Sequence, residues 1–485
     1  MPRPFPLLRS LALCALIACG VRAAPSLPET NPYHAAVAQL QAFPDNEKNL
    51  FYSWLYPNDE TPAPTLSAAH QRLVREATAA VIAAADHPPL STLDWLPALA
   101  DEAATGDSVL QLPTSELHLL ASLAAKSADA LPADQALDAY VAVARLGRQQ
   151  RAAPTLSGQL CGSGIENAAL ASVARRLNEF SAADLERLST AWSNLPSPPG
   201  LGPTLRIHRD RYFIPVLQTS LFDDLRKFEQ ETLAATDPAF ADLRLSALVD
   251  LGDGERRISL ENLSTGASFT LREGATVEGI ELVSMDFDAR QALIRRSERE
   301  AVINLQSKQI EERRLSTRQV EAALASHPAG KRVTSREKRW LIEALTHPGG
   351  VDGYAADVFA NYDAHIDRLV HQANELAPVL PDVVVPDYPA LNIITPNIAN
   401  IARRLRANDT QPAMLQAAIH ARLAALGQTS ATPPPADPWA TEPDGGFTLT
   451  PTEGGFRLQS RYQTTQGIPL TYQFATPDAG PVRHP

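Results

Sequence analysis

Cysteine is nearly missing from this chain. Three occur in 485 residues, and two of them, Cys14 and Cys19, stand within the first twenty. Cys161 is left alone in the rest of the chain, and one thiol cannot close an internal bridge, so packing has to hold the fold. Long hydrophobic runs are missing too. The stretch from Leu11 to Cys19 falls short of the roughly 20 apolar residues a spanning helix needs, and no later stretch is long and apolar enough. Positive charge is in deficit: 43 Lys and Arg stand against 55 Asp and Glu, a net charge of -12. Removing a leader that carries Arg3, Arg9 and Arg22 takes the remainder to about -15, which repels nucleic acid and anionic membrane surfaces. No nucleic-acid partner is expected. Neither H-E-x-x-H nor C-x-x-C, an EF-hand loop or a Walker sequence occurs, so those metal, redox and phosphate chemistries have no sequence signature here. No fixed-period repeat is visible either.

What is present begins with an export signal. Arg3 and Arg9, the apolar run, and the small residues Ala23 and Ala24 follow the plan of a signal peptide over residues 1–24. Leu16-Ile17-Ala18-Cys19 also has the form of a lipobox, whose cysteine is acylated in bacterial lipoproteins. Cleavage after Val21-Arg22-Ala23 and lipidation at Cys19 remain two open routes, and both put the protein outside the cytoplasm, in the periplasm or outer envelope. Membrane contact is expected only through that lipid.

Hydrophobic residues make up 44% of the chain, enough for ordinary cores in two to four folding units, and forty prolines delimit the elements. Residues 25–240 repeat apolar positions three and four apart, with prolines between segments, which predicts a helical domain. Leu131-Pro132-Ala133-Asp134 opens one helix ahead of the stripe Ala136, Leu137, Tyr140, Val141 and Ala144. Ser181-Ala182-Ala183-Asp184 caps another before Leu185, Leu188 and Trp192. Near Leu245 the period falls to two. Short apolar runs then alternate with turns at Ser264-Thr265-Gly266 and Glu273-Gly274, predicting a small β domain over residues 241–306. Helices return at Ser307 and run through residues 307–430, with a capping box at Thr334-Ser335-Arg336-Glu337 and breaks at Pro348-Gly349, Pro381 to Pro389 and Pro412. Residues 431–485 hold the stiff linker Thr432-Pro433-Pro434-Pro435 and a terminal hairpin around Gly454-Gly455. The expected fold class is mainly α: an antiparallel helical array with an inserted small antiparallel β-sheet or barrel domain and a short C-terminal β-hairpin.

The run Gly266 to Gly274, with Val277, Gly279, Ile280, Leu282 and Met285, resembles the small periplasmic β domain of inner-membrane type II secretion and type IV pilus assembly proteins. That resemblance implies docking on an envelope protein through Phe269, Arg272, Glu273 and Ile280, in a scaffold or adaptor without catalytic residues or cofactors. Ser157-Gly158-Gln159-Leu160, Leu195-Pro196-Ser197-Pro198-Pro199, and Asp437-Pro438-Trp439 followed by Gly455 to Ser460 look like a family of uncharacterised exported bacterial helical proteins. The Asp-Pro-aromatic tail is also similar to the C-terminal part of pseudopilins.

Each residue group that could carry chemistry has a plainer structural account. Gly162-Ser163-Gly164 beside Cys161 misses both G-x-S-x-G and G-x-G-x-x-G, and its small residues suit a close helix approach. Asp363, Asp367 and His371 recur every four residues, a spacing a metal could use, yet they fall opposite Val358, Tyr362, Ile366, Leu369 and Leu376 and read as a wet face. They anchor the alternative function, an exported hydrolase or metal-dependent enzyme assembled from dispersed residues including His365. Asp286 and Asp288 read as turn formers, His208-Arg209-Asp210-Arg211 as helix-surface ion pairing, and Lys331, Arg332, Arg336, Lys338 and Arg339 as a solvated face.

Overall fold

The computed structural model describes residues 26–482 apart from 57–62, 86, 89, 102–111, 198–199, 233–238, 251–255, 287–288, 298, 314, 327–334, 375–397, 429–432, 441–444, 464–466 and 477–478. From the N-terminus come α1 (His34–Gln41), α2 (Asp45–Leu55), α3 (Ala68–Ala85), α4 (Thr114–Ala128), α5 (Ala133–Gln150), α6 (Leu156–Arg176) and α7 (Ala182–Ser193). A helical run from Leu201 to Thr232 follows, with two π-turns, His208–Phe213 and Gln218–Phe222. Eight strands succeed it: β1 (Leu243–Asp250), β2 (Arg256–Asn262), β3 (Ser268–Arg272), β4 (Thr276–Val277), β5 (Ile280–Asp286), β6 (Gln291–Arg296), β7 (Arg299–Asn304) and β8 (Ile310–Glu312). Then come α8 (Thr317–Ser326), α9 (Ser335–Leu345), α10 (Gly350–Asn374), α11 (Ile398–Ala425) and four short strands, β9 (Thr448–Thr452), β10 (Gly455–Gln463), β11 (Pro469–Phe474) and β12 (Gly480–Pro481). The protein is mainly α with inserted β-sheets. Among the described residues, one compact unit comprises 216–365, and the other 26–215, 366–374 and 398–482.

Local chemistry sets the helix ends in the second unit. Pro132 precedes α5, where its missing N–H costs nothing, and Asp134 sits in the first turn against the helix dipole. Thr155 caps α6 by accepting the Gly158 N–H at 2.8 Å. Ser181 and Asp184 close the expected reciprocal capping box on α7. Behind these caps Leu117, Leu120, Leu123, Tyr140, Val143, Leu146, Ile165, Leu170 and Val173 are fully buried. Helices α5 and α6 meet backbone to backbone at Gly147 and Gly162. A Cβ built on Gly147 would lie 2.5 Å from the Gly162 carbonyl oxygen, so neither position has room for a methyl group.

In the first unit the strands run as two antiparallel meanders, β1-β2-β3 and β4-β5-β6-β7-β8. Their inner faces feed one core of Leu245, Ile258, Leu260, Leu271, Ile280, Leu282, Ile294 and Ile303, with Phe240 and Leu243 at one end. The turn between β2 and β3 is set by Asn262, whose Oδ1 accepts the Ser264 and Thr265 N–H groups, and by Gly266 at φ 71. The same device recurs at Asn304, whose Oδ1 accepts the Gln306 and Ser307 N–H groups before Lys308 at φ 61. That second turn corrects the expected return of helix at Ser307. The chain instead doubles back into β8, pairing Ile310 with Ile303 and Glu312 with Ala301, and helix resumes only at Thr317. Without a glycine, the left-handed residue there was invisible in the sequence.

One more expectation changes, and the expected C-terminal hairpin is present with a further strand on each side. Pro412 does not break the chain but lies inside the continuous α11. The C-terminal hairpin is the centre of a four-stranded sheet, β12-β11-β10-β9, within the second unit. Thr334 lies outside the described residues, and α9 starts at Ser335.

Asp437 organises how that last sheet docks. Its carboxylate is 3% exposed and accepts the Trp439 N–H at 3.1 Å, the Ser460 hydroxyl at 2.9 Å and the Arg461 N–H at 2.6 Å. Trp439 is thereby turned so that its indole N–H donates to Thr410 Oγ1 of α11 at 2.7 Å, with the Arg406 guanidinium 5.1 Å above its ring. At the other end the Ala475 N–H donates to the Ala174 carbonyl at 2.7 Å, and Asn178 Nδ2 donates to the Gly454 and Ala475 carbonyls. The Asp-Pro-Trp motif is therefore an anchoring device.

Candidate interaction surface

The β3 edge and the turn that follows carry the residues singled out for partner binding. Strand β3 is hydrogen-bonded to β2 on one side and is the last strand of its sheet. Phe269 is partly buried against the module's core, while Arg272 and Glu273 are exposed. Gly274 takes φ 77, which lets its N–H reach the Leu282 carbonyl at 2.8 Å while the Ala275 N–H returns to the Arg272 carbonyl at 2.9 Å. The turn is tied down from behind, and its Arg and Glu side chains point away from the core. Ile280 differs from the other three. It is 0% exposed, with Leu282 and Ile294 in the same core, so it packs the module and presents nothing to a partner.

The remaining candidates are dispersed. On α10, Asp363 is partly buried while Asp367 and His371 are exposed, opposite the buried Val358, Tyr362, Ile366 and Leu369. His365 is 3% exposed. Among the described residues no group of three His, Cys, Asp or Glu side chains is placed to hold a metal ion. Leu376 and Cys19 lie outside the described residues. Cys161 donates to the Thr114 carbonyl, and burial pushes its thiol up to about 11, so it stays protonated at neutral pH. Asp286 closes a turn by accepting the Ala289 N–H at 2.8 Å, and Asp288 lies outside the described residues. His208 opens a π-turn and packs its ring 5.1 Å from that of Tyr212; burial pushes it down to about 4. Arg209 pairs with Asp210 at 2.6 Å. Of the basic run, Lys331 and Arg332 lie outside the described residues, and Lys338 pairs with Glu321 at 3.3 Å.

Open clefts among the described residues of the helical unit include two lined by ion pairs. One of about 410 Å³ between α2 and α4 is lined by Asp45, Lys48, Tyr52 and Glu116, but Lys48 is already paired with Glu116 at 3.5 Å. The other, about 400 Å³, has Arg175 held on Asp129 at 3.2 Å.

The most unusual electrostatics lie in two buried ion clusters that sequence reasoning did not single out. In the helical unit Glu166 is 2% exposed, accepts from Arg148 Nε at 2.6 Å, and faces Arg151 Nη1 at 3.6 Å. Burial pushes its carboxyl above the usual range against the pull of both guanidiniums. Arg151 is itself 2% exposed and reaches Asp409 of α11 at 2.7 Å. In the β unit Glu300 is 0% exposed and takes two bonds from Arg295, at 3.2 and 2.9 Å, while its second oxygen faces Arg313 at 3.5 Å and the Thr317 N–H at 3.4 Å. Burial pulls Arg313 below the ordinary arginine range, opposed by Glu300. The first cluster ties α5 and α6 to the distant α11 and the second ties β6 and β7 to the segment after β8, which suits structural roles. Compared with known protein families, with characterised proteins and with solved structures, the chain matches none.

Proposed function

We propose that the protein is an exported, non-enzymatic scaffold or adaptor of the bacterial cell envelope whose β module engages an envelope protein, of the secretion or pilus-assembly kind, through strand pairing. The observation that carries this reading is the outer strand β3, hydrogen-bonded among the described residues on one side only, with Phe269 half-sunk in it and Arg272 and Glu273 exposed where it ends. An extended segment laid along such an edge gains main-chain bonds and finds an apolar and a charged contact for its side chains. The core shared by the strands supports the same reading, because β3 sends Leu271 into it and is held from inside. Ile280 drops out of the contact set and remains as core.

The test uses the full-length protein expressed in its native envelope and cross-linked before purification. Excising Leu243–Glu312 should leave the helical unit folded by circular dichroism and abolish the cross-linked partner. Arg272→Glu with Glu273→Lys, both at exposed positions, should weaken the same capture without moving the melting transition of the β unit. A partner retained after the excision rules the adaptor reading out.

A further inference from the structure

One turn of α11, Arg406 to Gln411, is held from two sides. Outward, Thr410 Oγ1 accepts the Trp439 indole N–H, and Arg406 stacks on the same ring. Three residues earlier, the Arg403 carbonyl accepts the Tyr462 hydroxyl at 3.0 Å. Inward, Asp409 pairs with the buried Arg151, and Asn408 Nδ2 donates to Ser163 Oγ of α6. Within the turn, Gln411 Nε2 reaches Asn408 Oδ1 at 3.4 Å and Thr410 Oγ1 donates to the Arg406 carbonyl at 2.9 Å.

Pro412 follows at once and has no N–H to offer the Asn408 carbonyl, so the helical ladder is weakest at this point. The position of the turn therefore depends on its side-chain partners more than in an unbroken helix. Asp409 has little else to hold it, because 44% of its side chain is exposed, while Arg151 has no water to fall back on if Asp409 withdraws.

We propose that the C-terminal sheet is a strap: seating Trp439 on Thr410 holds the Arg406–Gln411 turn, and with it Asp409, against Arg151, so that docking of the tail and closure of the buried ion cluster are one coupled event. The outer strand of the strap is β9, whose Thr448, Leu449, Thr450 and Pro451 are exposed and which, among the described residues, pairs with β10 alone. A pull on the strap at β9 is transmitted through Trp439 to the interior of the helical unit. Coupling of this kind is reciprocal: whatever the tail does to the cluster, the cluster does to the tail.

Reciprocity supplies the test, read by hydrogen exchange on the full chain with α3 as internal reference. Asp409→Asn changes only the ion pair, yet it should speed exchange of the β10 amides at least tenfold. Thr410→Val removes the acceptor for Trp439 with little change of shape, and should speed exchange of the last turn of α5, Gly147 to Gln150, by a similar factor. Trp439→Phe, which keeps a ring but no N–H, should act in the same direction as Thr410→Val. The proposal is overturned if Asp409→Asn leaves β10 at the wild-type rate, or if either variant accelerates α3 as much as its expected target, since that is general loosening rather than coupling.

Discussion

Replacing single glycines in the α5–α6 pair by alanine should give opposite signs at positions two residues apart. Alanine is the better helix former by about 1 kcal/mol, so propensity alone predicts stabilisation at every site. At Gly164 a Cβ meets nothing within 4 Å, and the full gain of about 1 kcal/mol is expected. At Gly162 a Cβ would lie 2.5 Å from the Gly147 carbonyl oxygen and 2.7 Å from Arg151 Cγ; at Gly147 it would lie 2.5 Å from the Gly162 oxygen and 2.8 Å from the Glu166 nitrogen. The atoms in the way are mostly backbone, so the helices must part by roughly half an ångström or more, in a core that resists such shifts. Overpacking of that kind costs about 1–3 kcal/mol and outweighs the propensity gain. It also stretches the Arg151 to Glu166 contact, already 3.6 Å. Urea unfolding of the three variants, followed by far-ultraviolet circular dichroism, should place Gly164→Ala above the parent and Gly147→Ala and Gly162→Ala below it. If Gly162→Ala is as stable as Gly164→Ala, the backbone contact described here does not exist.

Other outcomes follow from single sites. Asp437→Ala removes a buried acceptor from three donors, of which the Ser460 hydroxyl is itself buried, at about 1–3 kcal/mol for a buried group left unpaired, so a loss of about 1–3 kcal/mol is expected; early protease cleavage in the tail would report it, and an unchanged digestion pattern would count against the anchor. Glu300→Gln leaves Arg295 and Arg313 facing a neutral group, and a loss of about 3 kcal/mol is expected in the melting of the β unit. His208, held at about 4 in the fold against 6.5 unfolded, favours unfolding below pH 6.5, because the unfolded chain takes up the proton first. Its contribution is whole above pH 6.5 and lost as pH falls toward 4, up to about 3 kcal/mol, and His208→Phe should flatten that part of a stability profile.

Much of this architecture was legible because its signals are local. Ser181 and Asp184 cap a helix by themselves, and the shift to period-two spacing after Leu245 marks strands whatever surrounds them. Small residues at Gly162 and Ser163 pointed to a close helix approach, and their neighbour across the contact proved to be Gly147. What stayed hidden depends on the third dimension. Asn304 makes the same side-chain turn as Asn262, but Lys308 stands where a glycine would have announced it. Pro412 is accepted inside α11 because Thr410, Asn408 and Asp409 have outside partners, which no local propensity records. Glu166 and Glu300 look like surface residues on paper. A faint cue existed for the first, an acid at a buried helix position with Arg148 and Arg151 on the preceding helix.

The helical unit cannot be finished in the order it is made. Asn408 and Ser163 touch across 245 residues of sequence, so early helices wait, with Arg151 lacking its Asp409 partner, until α11 emerges. Thermodynamically the wait is mild, since each doubling of a closed loop adds only about 0.6 kcal/mol. Kinetically it is not, because contacts at such range form late. The strands between, paired in each sheet in chain order, have no such delay and shorten the effective gap once they zip together. A chain emerging from its first residue onward would thus complete the β module before the helical unit could lock.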